Sequence, residues 1–356
     1  MTKDVYLSAS RIKTAQQCSW LYWCKYILKL PDKGNDGASK GWICHLVFEV
    51  LGKPKRKSYF DKIIKDKTIF NIESIKRMVK IHARRLGVNN QESLEDMDTM
   101  ILRGLCYDFF GKDAGEIKES ISEKEFNLKI NENGVRYNIR GFIDKLFLYK
   151  NNQAIIRDFK TSKQKFKGKE ISDNMQDLMY CLAIKKLHPE YKSLSEFLFL
   201  RFNMEKDIFG APGDGVIQMK ELSDEVLEGF EIELAQIQTY LENFKESQAT
   251  SNFASEQNYP KDGTFGGPLS CGKDGFKIKK GEPILDENGD PIKAFICAYR
   301  KPFDYYVLLD DEGAIKKSVY EEKQEELNEL KQKGDTIERR TYTGCPAWKC
   351  SAAFEL

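Results

Sequence analysis

Two strand-like segments near the middle of the chain carry two aspartates and a lysine that suit metal-assisted hydrolysis. Asp144 lies within residues 141–148, and Asp158 and Lys160 lie two positions apart within residues 155–161. Side chains two apart on a strand point to the same side, so adjacent strands would bring both aspartates together. Two close carboxylates repel each other unless a cation lies between them, and such oxygen ligands suit Mg²⁺ or Mn²⁺. A lysine beside them can hold or deprotonate an attacking water, which favours phosphodiester hydrolysis.

The residues around Asp158 make this interpretation stronger than the tripeptide alone. An Asp-x-Lys sequence by itself is more often part of a solvated strand face. Here Ile155, Ile156 and Phe159 form an apolar strand, in which an unpaired aspartate would be costly. We therefore expect the carboxylate to have a function.

Two further pairs of polar residues have helical spacing. His45 and Glu49 are four apart, as are Gln176 and Tyr180, so each pair shares one face of a helix. A lone histidine on an apolar helix is more often a core residue than a ligand. A single Gln–Tyr pair is more often helix surface.

The elements that must position these residues follow from periodicity, capping and turn signals. Helices are predicted at residues 8–28, 41–51, 72–86, 92–110, 174–187 and 223–245. Strands are predicted at residues 124–130, 135–148, 154–161, 197–202 and 216–219. This order predicts an α/β (α+β) fold with a central mixed sheet flanked by helices.

Changes in composition and periodicity along the sequence predict three regions. Residues 1–115 form an N-terminal helical region with the first cysteine and the histidine motif, and residues 116–248 form the core. Residues 249–356 form a loop-rich, cysteine-containing appendage that closes onto the core. In this last region we expect a hairpin of residues 304–309 and 314–319 and a charged helix over residues 321–333.

Composition narrows the class of protein. The chain has 356 residues, 41% of them hydrophobic, which is enough for a sizeable core. The balance of 57 basic and 55 acidic residues excludes a polycation, but the charges of an acidic centre and a basic groove can cancel in the net charge.

The apolar runs of the sequence are short and no secretory signal is found, so we expect no membrane association. The expected location is the cytoplasm, or the host cytoplasm if the protein is encoded by a virus. No Gly-x-x-x-x-Gly-Lys-Ser/Thr run is present, so unwinding would need a separate helicase or recombination partner.

Together the motifs resemble the PD-(D/E)XK nuclease superfamily, in particular its RecB-like branch. That branch includes the nuclease domains of RecB and AddB and the CRISPR-adaptation exonucleases. Its motifs occur in the order Gly-x-x-x-His-x-x-x-Glu, Gly-x-x-Asp, Asp-x-Lys-Thr and Gln-x-x-x-Tyr. Over roughly residues 8–202 the sequence has them in that order: Gly41/His45/Glu49, Gly141/Asp144, Asp158/Lys160/Thr161 and Gln176/Tyr180.

The resemblance implies a restriction-endonuclease-like core and assigns roles to these residues. The metal ligands would be His45, Asp144, Asp158 and the carbonyl of Phe159. Lys160 would activate the water and Glu49 would support the metal shell. Gln176 and Tyr180 would contact the DNA backbone or brace the site.

The implied activity is that of a metal-dependent deoxyribonuclease. We expect an exonuclease on single-stranded or end-exposed DNA in recombination, repair, or phage or CRISPR DNA processing. The alternative is a non-catalytic DNA-binding subunit of a recombination complex that uses the nuclease fold. The intact Asp144, Asp158 and Lys160 favour the enzyme.

Nine cysteines in a chain without a secretion signal favour metal ligands over disulfides. Many members of the branch carry a [4Fe–4S] cluster, with one ligand in an N-terminal helix and three after the core. The resemblance implies Cys18, Cys271, Cys297 and Cys345 as ligands, with Cys350 as a substitute, although these late cysteines are more widely spaced than in the family. A Cys₄ zinc site is the rival. The remaining cysteines are expected to be ordinary buried thiols: Cys24, Cys44, Cys106 and Cys181.

Basic residues near the acidic centre would bind phosphates without reading sequence. Lys163 and Lys165 directly follow the Asp-x-Lys strand, and we predict that both bind DNA. Residues 53–67 form a denser basic run, for which a solvated helix face and DNA binding are equally good interpretations. Aromatic residues at helical spacing over residues 20–26 are expected to pack in the core rather than stack on bases.

Overall fold

A computed structural model describes residues 5–32, 34–132, 134–254, 278–279, 282–285, 289, 291 and 297–347. The chain divides into two compact units, each assembled from segments distant in sequence. Unit 1 contains Met1–Ala9 and Gly34–Glu242, and unit 2 contains Ser10–Lys33 and Asn243–Leu356. The three-region division of the sequence stays a prediction.

The helices and strands are numbered in chain order. The helices are α1 Ala9–Gln17, α2 Ser19–Tyr22, α3 Asp36–Leu51, α4 Lys57–Asp66, α5 Glu73–Arg85, α6 Gln91–Cys106, α7 Lys169–Ser172, α8 Met175–Leu187, α9 Asp224–Glu242, α10 Glu246–Ala249 and α11 Glu325–Leu330. The strands are β1 Ile117–Glu132, β2 Val135–Tyr149, β3 Gln153–Lys160, β4 Lys192–Phe199, β5 Val216–Gln218, β6 Ile278–Lys279, β7 Glu282–Pro283, β8 Phe303–Leu309, β9 Ile315–Tyr320 and β10 Thr336–Tyr342. No described helix is long and apolar enough to span a membrane.

Unit 1 is built on a five-stranded mixed sheet in the order β1-β2-β3-β4-β5. All neighbouring strands pair antiparallel except β3 and β4, which are parallel. Parallel neighbours need a crossover, and α8 supplies it between β3 and β4. The predicted α/β fold with a mixed sheet is therefore confirmed.

Strand β1 begins well before the predicted residue 124, at Ile117. Its first half is mostly polar and has no buried residue, so hydrophobic alternation gave no signal for it. Backbone pairing with β2 nevertheless runs along the whole of β1, from Ile117 opposite Tyr149 to Glu132 opposite Val135. The polar half of β1 therefore lies alongside the part of β2 that carries Asp144.

Some helices of unit 1 begin at asparagine caps. Asn35 accepts a hydrogen bond from the Ala38 amide at the start of α3, and Asn174 accepts from the Gln176 and Asp177 amides at the start of α8. Such caps satisfy amides that have no partner within the helix. They fix where the helices carrying His45 and Gln176 begin.

The core of unit 1 joins α3 to the sheet. Phe48 of α3 stacks on Phe159 of β3 with ring centroids 4.1 Å apart, and both side chains are buried with Val47, Val79 and further residues of α5 and α6. Because Phe159 lies between Asp158 and Lys160, this packing sets the distance between α3 and the Asp-x-Lys strand.

Unit 2 contains a three-stranded antiparallel sheet in the order β10-β8-β9. The predicted hairpin corresponds to β8 and β9, whereas β10 was not predicted from the sequence. The helix predicted over residues 8–28 is interrupted, because Cys18 adopts an extended backbone and caps α2 instead. The helical turn that follows, Trp23–Ile27, is a π-helix. The charged helix predicted over residues 321–333 is shorter, at Glu325–Leu330.

Candidate metal centre

Asp144 links the helix and strand that carry the neighbouring motifs. Its Oδ1 lies 3.0 Å from His45 Nδ1 on α3. Its Oδ2 accepts a hydrogen bond from the Phe159 amide of β3 at 2.7 Å. One carboxylate therefore ties α3, β2 and β3 together at the predicted site.

Asp158 is buried, and residues of α8 surround it. Its Oδ1 accepts a hydrogen bond from Gln176 Nε2 at 2.6 Å and lies 3.0 Å from the Tyr180 hydroxyl. Its Oδ2 lies 2.6 Å from Lys160 Nζ, but this buried oxygen makes no hydrogen bond with good geometry. Burial raises the pKa of Asp158; the Lys160 charge opposes that rise, and the Asp144 charge adds to it.

Gln176 and Tyr180 act as braces for the Asp158–Lys160 pair. Gln176 Oε1 accepts a hydrogen bond from Lys160 Nζ at 2.7 Å, while its amide nitrogen donates to Asp158 and to the Tyr180 hydroxyl. The Tyr180 hydroxyl also lies 2.8 Å from the Phe142 carbonyl. The spacing of this pair on α8 thus fixes both members of the Asp-x-Lys motif.

Glu123 of β1 lies with His45 and Asp144, although it was not predicted from the sequence. It lies opposite Asp144, between the pairs Ser122–Lys145 and Lys124–Ile143. Its backbone has a positive φ of 52°, which a glutamate rarely adopts. One ligand atom from each of His45, Glu123 and Asp144 lies within 4.8 Å of the other two.

The acidic surroundings shift the protonation of two of these groups. Burial raises the pKa of Glu123 to about 7, and the Asp144 charge adds to that rise. For His45, burial lowers the pKa, but the Asp144 charge and hydrogen bond outweigh it and bring the value to about 9. Such a concentration of negative charge favours a bound cation.

Glu49 lies one turn beyond His45 on α3. Its carboxylate forms an ion pair with Lys53 at 3.1 Å and is partly exposed. Its charge also contributes to the raised pKa of Glu123. The His45–Glu49 motif thus places both charges on the side of α3 that faces the site.

Gly41 is needed where α3 approaches the end of β3. A Cβ atom at this position would lie 2.7 Å from Thr161 Oγ1, closer than packed atoms allow. Arg201 holds the same chain segment by donating to the Thr161 carbonyl and, twice, to the Asp96 carboxylate. Lys40 donates to that carboxylate as well. The first glycine of the motif therefore serves close packing.

Comparison of the sequence with family profiles identifies the family of this chain. The profile of the PD-(D/E)XK nuclease superfamily matches residues 6–271, well over half of the chain. The chain belongs to the PD-(D/E)XK nuclease superfamily. No curated protein matches it. A solved structure entitled "Crystal structure of SSO0001" is similar at 19% identity with a TM-score of 0.26, covering 47% of this chain and 70% of that one. That likeness is too remote to transfer site residues.

Membership indicates metal-dependent nuclease activity on DNA, and nucleases of this superfamily typically use Mg²⁺ or Mn²⁺. The residues of this nuclease fit such an ion. The set offers carboxylate oxygens and one imidazole, which both ions accept. The buried Asp158 Oδ2, which lacks a well-aligned hydrogen bond, is a further oxygen donor.

The lysines predicted to bind DNA differ in their surroundings. Lys163 is exposed. Lys165 forms an ion pair with Asp214 at 2.6 Å and lies over the Phe202 ring. In the upstream basic run, Lys53 and Lys57 pair with carboxylates one turn away. Part of the basic charge of this nuclease is thus already neutralised within unit 1.

Cys24 is a buried thiol of unit 2. Burial raises the pKa of Cys24, and the charges of Cys297, Cys345 and Cys18 add to that rise. Three of the predicted cluster ligands therefore interact electrostatically with a cysteine that had been expected to be an ordinary core thiol. The other two, Cys271 and Cys350, lie outside the described residues.

The remaining cysteines follow the prediction only in part. Cys44 and Cys181 are buried as expected. Cys106 is exposed, so its predicted burial is wrong. It is the last residue of α6, where the chain leaves the helix and its apolar sequence neighbours no longer predict burial.

Proposed function

We propose that this protein is a deoxyribonuclease of the exonuclease type that hydrolyses phosphodiester bonds in single-stranded or end-exposed DNA. One observation carries the proposal: Asp144 joins His45 and the Phe159 amide, while Lys160 lies 2.6 Å from Asp158 on the same strand. This arrangement supports a metal-binding set beside the Lys160 ammonium group, which is held at a buried carboxylate. A fold kept only as a scaffold has no need of such a charged arrangement, which is costly to bury.

In this proposal the cation is held by His45, Glu123, Asp144, Asp158 Oδ2 and the Phe159 carbonyl. A bound Mg²⁺ or Mn²⁺ supplies Lewis acidity at the scissile phosphate and lowers the pKa of a coordinated water. The protein's contribution is to fix the donors before the substrate arrives. Asp144 does this through its two hydrogen-bonded oxygens, which leave the carboxylate little freedom to rotate.

Lys160 holds the attacking water in this proposal. Its ammonium group is fixed between Asp158 Oδ2 and Gln176 Oε1, at 2.6 and 2.7 Å. The hydrogen bond to Gln176 and the ion pair with Asp158 leave Lys160 with N–H capacity for a water or a phosphate oxygen. The positive charge also offsets negative charge that develops on the phosphate during hydrolysis. Glu49 supports the metal shell, and Lys163 and Lys165 contribute phosphate contacts.

A thiol-ligated cluster in unit 2 is also part of the proposal. Its support is the resemblance of the sequence motifs and the electrostatic influence of Cys18, Cys297 and Cys345 on the pKa of Cys24, with Cys271 as the further ligand predicted from the sequence. A [4Fe–4S] cluster would tie the segments of unit 2 together. Protein purified without oxygen is then brown and contains iron. A colourless protein that contains zinc would replace the cluster by a zinc site.

The proposed setting is DNA recombination, repair, or phage or CRISPR DNA processing in the cytoplasm. No sequence motif for a nucleotide-driven motor is present. A separate helicase would therefore supply single strands from duplex DNA.

The activity is tested with end-labelled linear DNA, single- and double-stranded, in Mg²⁺ and in Mn²⁺. Asp158→Ala and Lys160→Ala are expected to abolish cleavage while circular dichroism shows a folded protein. Asp173→Asn alters an exposed carboxylate and is expected to cleave like the wild type. Blocking the 5′ or the 3′ end separates exonuclease from endonuclease action. Wild-type binding without cleavage in either metal would support the non-catalytic alternative.

A further inference from the structure

Two half-exposed aromatic side chains lie next to the metal-binding residues in unit 1. Trp42 has 50% of its surface exposed and Phe142 has 49%. Trp42 precedes His45 by three positions on α3, and Phe142 precedes Asp144 by two positions on β2. An apolar ring left in water beside a strongly acidic centre gains by being covered.

The periodicity of each element places both residues on a face that also carries a metal ligand. Residues three apart are neighbours on a helix surface, so Trp42 lies beside His45. Residues two apart on a strand share a side, and the buried Ile143 between Phe142 and Asp144 points the other way. His45 and Asp144 are themselves 3.0 Å apart, so the two aromatics flank one pair of metal ligands from two different elements.

Neighbours restrain the Trp42 ring and the backbone of Phe142. Trp42 packs edge-to-face on His82 of α5, with ring centroids 4.9 Å apart. The Phe142 carbonyl lies 2.8 Å from the Tyr180 hydroxyl, which also contacts Asp158. A ring whose position is already fixed loses little entropy when a planar partner stacks on it.

Positive charge lies on the same side of β2. Arg140, two positions before Phe142, has its guanidinium 5.9 Å from the centroid of the Phe142 ring. Its ion pair with Glu125 is half exposed on both sides, so the guanidinium remains accessible to solvent. An aromatic face next to an accessible cation suits a nucleotide, which offers a base for stacking and a phosphate for the charge.

We propose that Trp42 and Phe142 are stacking platforms for unpaired bases on either side of the phosphate at the metal centre. This inference rests on the proposed nuclease function and specifies its substrate. In a duplex the faces of the bases are covered by their neighbours, whereas a single strand or a frayed end offers free faces. The two platforms therefore select unpaired nucleotides at the site.

Binding is tested in Ca²⁺, to hold hydrolysis back, with a fluorescent oligothymidylate and an abasic strand of equal length. Wild-type protein is expected to bind the base-bearing strand more tightly. Trp42→Ala and Phe142→Ala each weaken that binding by about fivefold to a hundredfold and leave abasic binding unchanged. Tyr240→Ala removes a comparably exposed ring from α9 and is expected to have no effect.

A second experiment uses conservative variants and fluorescence, so that the test does not depend on the folding of the alanine variants. Trp42→Phe and Phe142→Tyr keep an aromatic face and are expected to keep the preference for bases. Stacking quenches indole fluorescence, so oligothymidylate quenches the wild type more than Trp42→Phe. The inference is overturned if the wild type binds the two strands with equal affinity. It is also overturned if the alanine variants lose affinity for both strands to the same extent. If the protein cleaves DNA but does not prefer the base-bearing strand over the abasic strand, only the inference is overturned. If the protein binds neither strand, the proposed function is overturned as well.

Discussion

His45 Nδ1 and Asp144 Oδ1 lie 3.0 Å apart, although 99 positions separate the two residues in the sequence. The contact joins α3 to β2, and it holds the histidine at the point where Glu123 of β1 also converges. Without a cation this pair retains a proton, because the carboxylate charge outweighs burial and raises the pKa of His45 to about 9. A metal would replace that proton.

Replacing Glu123 is expected to weaken metal binding. Glu123→Gln removes one charge from the three-residue set without changing the size of the side chain, and we expect Mn²⁺ affinity to fall at least about tenfold. Isothermal titration calorimetry on the metal-free protein measures this directly. Glu119→Gln is the matched control, because Glu119 lies exposed on the same strand. Equal affinities of Glu123→Gln and wild type would remove Glu123 from the centre.

Adding a methyl group at Gly41 is expected to destabilise unit 1. The new Cβ would lie 2.7 Å from Thr161 Oγ1, so α3 or the end of β3 must shift. We expect Gly41→Ala to lower the free energy of unfolding by about 1–3 kcal/mol, despite the better helix propensity of alanine. Thr161→Ala removes the clashing oxygen, so the double variant is expected to recover part of the loss. Denaturant unfolding measures each variant, and strictly additive losses would show that the clash is absent.

The sequence predicted those parts of the site that depend on local periodicity. Asp158 and Lys160 share a side of β3 because they are two apart, and Gln176 and Tyr180 meet them because they are four apart on α8. The mixed sheet followed from the order of helices and strands. In each of these cases the geometry is set within a few residues.

Glu123 could not be predicted, because its position depends on pairing between strands. Its surroundings in β1 are polar, so they show no alternation. Its positive φ is unmarked by the glycine or asparagine that usually accompanies such a conformation. The electrostatic influence of Cys297 and Cys345 on Cys24 is likewise non-local, since these residues lie near opposite ends of the sequence.

Lys145 is expected to make stability depend on pH. It is buried in unit 1 and donates a hydrogen bond to the Phe109 carbonyl. Burial, reinforced by the Arg157 charge, lowers its pKa from 10.5 to about 7. Between these values the unfolded chain binds more protons than the folded one, so stability rises with pH by up to about 1.4 kcal/mol per unit.

The matched variant for this pH dependence is Lys145→Met, which keeps the length of the side chain without its charge. Unfolding of the metal-free protein is followed from pH 7 to pH 10 for both proteins. The stability of the wild type relative to Lys145→Met is expected to increase across that range. A difference that is constant with pH would mean that Lys145 keeps its charge when buried.

The Tyr342 hydroxyl is expected to contribute to the stability of the described part of unit 2. It accepts a hydrogen bond from the Trp20 indole at 2.7 Å and donates to the Tyr299 carbonyl at 2.8 Å. Tyr342→Phe leaves both groups buried without this partner, which is expected to cost about 1–3 kcal/mol for each group. Tyr306→Phe removes a hydroxyl from β8 of the same sheet and is expected to change stability by less than about 0.5 kcal/mol. Thermal and denaturant unfolding compare the two variants, and equal losses would show that the Trp20–Tyr342–Tyr299 chain does not stabilise unit 2.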